Sequence, residues 1–235
     1  MRRLFLSLSL LILPVLVQAA SVPPAFNYDF QVSRNGSPMG ESTMAFAPTS
    51  SGTWSLKTTV AGTKGLASIA GAAVNESTTL AVNKGEMELL DNLQETKVAW
   101  KSNRKTTRLD RASRRYIYDD GKNGREVPYQ AGLLDQHSLT LAVISDLQAG
   151  KTGTLVYRGL SKGRLETFRF RVVGEESLTT AIGRLATVKV ERIRETSNGK
   201  TTRIWLAKER NYAPVLIQEN NANGDDVEMK LIRIR

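Results

Sequence analysis

Residues 26–36 read FNYDFQVSRNG, and this stretch decides the fold. Apolar and polar side chains alternate along it, as they do in a strand with one face in a core and the other in water. The stretch ends in Asn35-Gly36, a pair that readily adopts the positive φ angles of a tight hairpin turn. It therefore predicts a β-hairpin near the start of the folded chain.

The same alternation recurs along the chain, for example at 54–60, 168–172 and 227–231. Short polar turns separate the alternating runs, at 51–52, 83–85, 120–124, 197–199 and 223–225. Many strands joined by short turns are typical of an antiparallel meander, whose edges are usually hidden by curling. The sequence therefore predicts an all-β, mainly antiparallel fold, either a curled sheet or a barrel-like meander.

Two stretches depart from the alternation. Leu133–Gln148 has the apolar spacing of a helix, with Asp135 as an expected N-cap and Gly150 as an expected C-cap. We expect this one principal helix to pack against the concave side of the sheet, with about seven strands before it and six after it. Ala61–Ala73 is rich in small residues and predicts an irregular flap or a short helical turn.

The first residues resemble a cleavable export signal. A short basic start at Arg2-Arg3 precedes an apolar run from Leu4 to Val17, and Ala19-Ala20 offer the small residues that signal peptidase requires. The apolar run is shorter than the roughly 20 residues of a spanning helix. We therefore expect a signal peptide at 1–19, a single β-rich domain at 20–235, a periplasmic location and no transmembrane span after cleavage.

The composition excludes cysteine chemistry and favours anionic partners. The chain has no cysteine, which excludes disulfides, thiolate catalysis and cysteine-bound zinc. Its 33 Lys and Arg outnumber 23 Asp and Glu. A basic surface on an exported protein suits an anionic lipid, lipopolysaccharide or an acidic glycan, whereas nucleic acid belongs to another compartment.

The basic stretch Lys97–Arg115, with aromatic residues within and beside it, is the candidate binding site. It contains a single acid, Asp110. The candidate binding residues are Lys97, Trp100, Lys101, Arg104, Lys105, Arg108, Arg111, Arg114, Arg115 and Tyr116. Arginine matches phosphate and carboxylate geometry, and aromatic rings stack on sugars or lie at lipid headgroups. A solvated face whose long side chains cover the sheet is the alternative interpretation.

A second basic cluster follows in the C-terminal half. Its members are Arg184, Lys189, Arg192, Arg194, Lys200 and Arg203.

No catalytic or metal-binding set is evident. His137 is the single histidine, and its neighbours Asp135 and Ser138 fit a helix opening better than a catalytic triad. One histidine without cysteine removes the usual zinc sets, and no cofactor motif is present. The adjacent acids at 119–120, 175–176 and 225–226 lie near glycines and are predicted to be solvated turn residues.

Several short motifs together resemble the DUF3108 family of exported bacterial proteins. They are Tyr28-Asp29-Phe30, Gly40, Asp135-Gln136-His137-Ser138, Gly183, Trp205-Leu206-Ala207, Tyr212-Ala213-Pro214 and Asn223-Gly224-Asp225. The resemblance covers nearly all of the predicted mature chain. It implies a β-rich envelope protein and supplies no catalytic residues.

These observations favour a non-enzymatic binding or envelope-maintenance protein for an anionic amphiphile. One alternative is an envelope-glycan hydrolase or lyase whose carboxylates the fold brings together, which requires two carboxyl groups in one cleft. The other is a structural module that pairs with a partner through an open sheet edge. The shape of the interior separates the three.

Overall fold

One continuous sheet dominates the computed structural model, which describes residues 22–65, 68, 71–195 and 199–235. The strands are β1 (Phe26–Arg34), β2 (Ser37–Pro48), β3 (Trp54–Gly62), β4 (Ala73–Asn83), β5 (Glu86–Val98), β6 (Lys101–Asp110), β7 (Arg115–Asp119), β8 (Gly124–Pro128), β9 (Leu134–Asp135), β10 (Thr154–Ser161), β11 (Arg164–Thr180), β12 (Gly183–Ile193), β13 (Thr201–Ala207), β14 (Ala213–Asn220) and β15 (Asp226–Ile234). A helix, α1 (Leu139–Gln148), and a short 3-10 turn (Lys208–Arg210) interrupt them.

The strand order follows the chain in two directions from β1. The order is β8-β7-β6-β5-β4-β3-β2-β1-β15-β14-β13-β12-β11-β10-β9. Sequence neighbours from β1 to β8 and from β10 to β15 pair antiparallel, β1 also pairs antiparallel with β15, and β9 pairs parallel with β10. The predicted all-β, mainly antiparallel meander is confirmed.

The alternation places apolar side chains on one face, as expected. In β1, Tyr28, Phe30 and Val32 are buried, and in β11 Phe168 and Phe170 are buried. Side chains from both halves of the sheet belong to one core, so the sheet curls around its own inner face.

Helix α1 fills the inside of this curl. Leu139, Leu141, Val143, Ile144 and Leu147 are all buried in the core that the strands of both halves form. The helix therefore occupies the concave side of the sheet, as predicted. No helix among the described residues is long and apolar enough to cross a membrane.

The helix is shorter than predicted. Residues 133–138 precede it, because Leu134 pairs with Gly159 of β10 and the carbonyl of Leu133 accepts from the amide of Leu89 at 2.8 Å. Leu133 and Leu134 are buried in the core although they lie before the helix, and their apolar side chains extended the helical pattern of the sequence beyond its actual start. Gly150 follows the C-cap residue Ala149 with φ of +76°, and this conformation explains the glycine.

The predicted N-cap, Asp135, lies outside the helix. Ser138 precedes the first helical residue instead, and the amide of Ser138 donates to Oδ1 of Asp135 at 2.8 Å. Asp135 therefore fixes the turn before the helix rather than its first turn.

The small-residue stretch 61–73 begins and ends in paired strands, with Ala61 opposite Ala73. Residues 66–67 and 69–70, including Leu66 and Ile69, lie outside the described residues, as does the predicted signal peptide at 1–19.

The two edges of the sheet lie close together. Arg125 of β8 donates from Nη1 to the carbonyl oxygen of Lys162, in the β10–β11 turn, at 2.9 Å. A Cβ added at Gly163 would lie 2.8 Å from the Cβ of Tyr118, so that turn packs directly against β7. The sheet is curled but not closed by strand pairing.

Candidate functional site at one end of the curled sheet

Seven strand connections, placed by the described residues at their ends, lie at the same end of the sheet, which we call the groove end. The antiparallel registers place them there, because each connection follows or precedes a paired strand terminus on the same side. They are the connections at 35–36, 63–72, 99–100, 120–123, 162–163, 194–200 and 221–225. A polar cavity and a basic groove lie on the inner side of the sheet towards this end.

The polar cavity has a volume of about 260 Å³. Its wall consists of inner-face residues of β4 to β7, the segment before α1, and the end of β10. The lining residues are Glu76, Asn92, Gln94, Lys105, Thr107, Tyr118, Asp135, Gln136, His137, Leu160, Ser161 and Lys162. The strands supply this polar row because Glu76 pairs with Gln94, which pairs with Lys105.

His137 is held by two threonines from neighbouring strands. Oγ1 of Thr58 lies 2.8 Å from Nε2, and Oγ1 of Thr78 lies 2.9 Å from Nδ1. The Thr78 hydroxyl donates its one proton to Oδ2 of Asp135 at 2.8 Å, so it accepts at His137. In the neutral imidazole, Nδ1 therefore carries the hydrogen and Nε2 accepts from Thr58.

Both carboxylates of the cavity accept hydrogen bonds from neutral donors. Asp135 accepts from Thr78 and from the amide and hydroxyl of Ser138. Glu76 accepts from Nδ2 of Asn92 at 3.1 Å and from Nε2 of Gln94 at 3.2 Å. Asp135 is buried, so these bonds replace the water that the carboxylate would otherwise bind.

Glu76, Asp135 and His137 form a cluster that the sequence did not predict. Each has one potential metal-ligand atom, and these atoms lie within 4.8 Å of one another. The hydrogen bonds described above already occupy Asp135 and both ring nitrogens. A cation bound by the ring would displace Thr58 or Thr78, so the residues as folded form a hydrogen-bond network.

The basic groove adjoins the cavity and has a volume of about 770 Å³. It lies where β8 approaches β10 to β12, and it shares Gln136, Ser161 and Lys162 with the cavity. Its cationic lining residues are Arg125, Lys162, Arg164, Arg192, Arg194 and Lys200, and Glu166 is the single acid among the described residues that line it.

Two of these arginines are partly desolvated. Burial lowers the pKa of Arg192, and the neighbouring Arg194 lowers it further. Burial also lowers the pKa of Arg194. The Arg192 guanidinium stacks 4.8 Å from the ring centroid of Phe168, while Arg194 donates to Oγ1 of Thr202 at 2.8 Å. Both side chains are therefore held in place by neutral neighbours.

Few carboxylates neutralise the groove. Nζ of Lys200 lies 2.9 Å from Oε2 of Glu219. Within the described ranges, none of the other five cations of the groove has a carboxylate oxygen within the 4.0 Å of an ion pair. The groove therefore combines positive charge with partial exclusion of water, which is the setting in which an anion binds strongly.

The structure distributes the ten candidate binding residues over several places. Lys97, Trp100 and Lys101 lie at the tip of the β5–β6 hairpin, at the groove end. Lys105 lines the polar cavity. Arg104, on the opposite face of β6, lies 3.7 Å from Glu95.

The remaining candidates lie farther along the sheet. Arg108 pairs with Asp91, and Arg111 and Arg114 belong to the β6–β7 turn at the opposite end. Arg115 lies 3.5 Å from Glu126. Tyr116 is buried in the core, and its hydroxyl donates to the carbonyl of Leu89 at 3.2 Å.

The second basic cluster is also divided. Arg192, Arg194 and Lys200 line the groove. Lys189 lies 3.5 Å from Glu176, and Arg203 lies 3.9 Å from Glu191. The remaining member, Arg184, bonds to Ser177 by donating from Nε to its Oγ at 2.8 Å. The pattern of basic residues thus located half of the groove. Lys162 and Arg164 come from the β10–β11 turn and from β11, which pairs with β12, whereas Arg125 of β8 comes from the opposite edge of the sheet and is brought near by the curl.

The expectation that residues 175–176 are turn acids is wrong. Both lie inside β11, where Glu175 binds Lys208 at 2.7 Å and Glu176 accepts from the indole of Trp205. A bulge between Val172 and Gly174 produced the turn-like glycine signal.

A comparison with solved structures supports this description of the fold. A β-barrel-like DUF1849 protein from Brucella abortus is similar over 91% of this chain and 98% of its own length, with a TM-score of 0.55 and 11% identity. This likeness shows the fold.

Two further structures match less closely. A chain in the complex structure of Pseudomonas aeruginosa MucA/MucB matches with a TM-score of 0.31 and 12% identity, over 90% of this chain and 51% of that chain. A putative outer membrane lipoprotein-sorting protein domain from Vibrio parahaemolyticus matches with a TM-score of 0.26 and 9% identity, over 93% of this chain and 86% of that chain.

No curated protein matches the chain. A model of a protein family of unknown function, DUF3108, matches residues 29–232, which confirms the resemblance predicted from the sequence.

Proposed function

This chain belongs to the DUF3108 family, and we propose that it is an exported, non-enzymatic binding protein of the cell envelope whose ligand is an anionic amphiphile. The family is described as one of unknown function, so the proposal rests on the site. Lipids, lipopolysaccharide and acidic glycans are the envelope molecules whose charge suits it. The export signal predicted at 1–19 supports a periplasmic location.

The basic groove is the observation that carries the proposal. Six cations and one acid line it among the described residues, and Arg192 and Arg194 are partly buried beside each other. Like charges that lose water without a counterion are costly, and a bound phosphate or carboxylate relieves that cost. Arginine adds the paired donors that fit such groups.

The adjoining cavity supports a headgroup that also carries hydroxyl or amide groups. Gln94, Thr107 and Gln136 offer neutral donors and acceptors beside the charged groove. Because α1 and the core side chains fill the curl, we propose that the site holds the polar headgroup and leaves the apolar part of the ligand outside.

The hydrolase alternative is less well supported by the same cavity. Glu76 and Asp135 do share one cleft, as that alternative requires. However, Asp135 is buried and accepts from three donors, whereas a general acid must present its proton to the substrate.

Strand addition is also less well supported. The edge strands, β8 and β9, are short, and β8 carries Arg125 and Glu126. Short and charged edges are the features with which sheets avoid pairing with other chains.

Native mass spectrometry of protein purified from its own periplasm tests the proposal and identifies the ligand. We expect a co-purified anionic species on the wild type and its loss from the double variant Lys162→Gln with Arg164→Gln, whose side chains are exposed. The triple variant Arg104→Ser, Arg108→Ser, Arg111→Ser should retain it, because these residues lie outside the groove. A wild-type protein without any bound species would overturn the proposal.

A further inference from the structure

The tip of the β5–β6 hairpin carries the most exposed large apolar side chain that the structure describes. Trp100 is 90% exposed, and Val98, one residue before the two-residue turn, is 47% exposed. Val98 pairs with Lys101 across the turn, so β5 and β6 remain paired up to the two turn residues. Two exposed apolar residues within three positions of one another, one of them an indole, make the tip a candidate contact surface.

The charges around this tip select the kind of surface. Residues 97–101 contain Lys97 and Lys101 and no acid, and both lysines are exposed. The nearest acid along β5, Glu95, already pairs with Arg104. A tryptophan between lysines matches a bilayer interface, where the indole lies among the headgroups and the ammonium groups meet anionic lipid.

The tip and the basic groove are at the same end of the sheet. Lys97 pairs with Ala73, Gly62 with Gly40, and the β1–β2 turn adjoins the β14–β15 turn through the amide of Asn35, which donates to Asp226. The connection at 194–200 and the β10–β11 turn, which supply groove residues, follow on the same side. A membrane or other surface that binds the tip is therefore at the same end of the sheet as the groove.

We propose that the β5–β6 hairpin tip docks this protein on an anionic membrane surface, with Trp100 inserted among the headgroups and Lys97 and Lys101 against their phosphates. Docking in this way brings the groove to the membrane. The proposal concerns a separate surface and does not depend on which ligand the groove takes.

Vesicle sedimentation tests the proposal. We expect the full mature chain to bind vesicles of phosphatidylethanolamine and phosphatidylglycerol, and to bind vesicles of phosphatidylcholine alone much more weakly. Trp100→Ser should weaken binding at least roughly tenfold, and each of Lys97→Gln and Lys101→Gln by about fivefold. Val156→Ser, which removes another exposed apolar side chain on β10, should bind as the wild type does.

Tryptophan emission supplies a second readout. Trp205 is buried and Trp54 is half-buried, so a blue shift on anionic vesicles reports mainly on Trp100 and should be absent from Trp100→Ser. Absence of wild-type binding to anionic vesicles, or equal binding by Trp100→Ser, would overturn the proposal. The proposal would also be overturned if the wild type bound no vesicles but bound a protein partner that Trp100→Ser does not bind. If the groove variants kept their ligand, the proposed function would fail, but the vesicle-binding result would still stand.

Discussion

At the level of single residues, the site depends on side chains that are distant in sequence and form hydrogen bonds to one another. Thr78 of β4 donates to Asp135 and accepts from His137, and four strands, β5 to β8, separate them along the chain. The sequence predicted that Asp135, His137 and Ser138 form a helix opening with Asp135 as the N-cap, whereas the structure places all three before the first helical residue. Nothing in the sequence indicated Thr58, Thr78 or Glu76, because threonines and acids at alternating strand positions are ordinary surface residues.

Replacement of Asp135 tests how far this network stabilises the fold. Asp135→Ala leaves the buried Thr78 hydroxyl and the Ser138 amide without their acceptor, so we expect a loss of about 3 kcal/mol in the free energy of unfolding. Urea denaturation measures it. The control Glu126→Ala removes an exposed acid from β8 and should change stability by less than about 1 kcal/mol. Equal effects of the two changes would show that the network is dispensable.

The buried tyrosines predict a loss of stability in alkali. Burial raises the pKa of Tyr28 to about 12, and burial also raises the pKa of Tyr116 and Tyr157. An unfolded tyrosine loses its proton near pH ~10, whereas the folded chain keeps these protons. Their contribution is therefore complete below that pH and is lost as the pH rises from about 10 through about 12.

Urea midpoints at neutral pH and at about pH 11 check this expectation. The midpoint should fall for the wild type and fall less for Tyr28→Phe, which has no proton to lose at that position. A midpoint that falls equally in both proteins would assign the alkaline loss to other groups.

At the level of elements, the turn between β10 and β11 closes the curl. Gly163 has φ of +68°, and an added Cβ would lie 2.8 Å from Tyr118 and 2.9 Å from Arg125 on the opposite edge of the sheet. Strand identity and pairing direction followed from period-two alternation and turn residues. This meeting of the two edges did not, because it depends on how far the whole sheet curls.

Gly163→Ala tests whether the two edges must meet. We expect a loss of about 2–4 kcal/mol, part from the positive φ and part from the clash with β7 and β8. Gly36→Ala is the matched control, because Gly36 has a similar φ of +75° and nothing lies within 4 Å of an added Cβ. It should lose only about 1 kcal/mol. Similar losses in thermal or urea unfolding would mean that the edge contact contributes nothing.

At the scale of the whole molecule, curling turns a scattered set of basic residues into a groove. Arg125 of β8 and Arg192 of β12 are far apart in the strand order, yet both line it. The basic excess and the all-β class could be predicted from composition and alternation. The groove could not, since residues of β8 and β12 meet only when the opposite edges of the sheet approach each other.

The central claim is that this groove binds anions, and calorimetric titration with pyrophosphate tests it most directly. We predict saturable binding by the wild type that weakens as salt is added, and binding at least roughly tenfold weaker for Lys162→Gln with Arg164→Gln. The control Lys84→Gln with Arg184→Gln removes the same charge from exposed positions at the opposite end of the sheet and should bind as the wild type does. No binding by the wild type, or equal weakening by both double variants, would contradict the account.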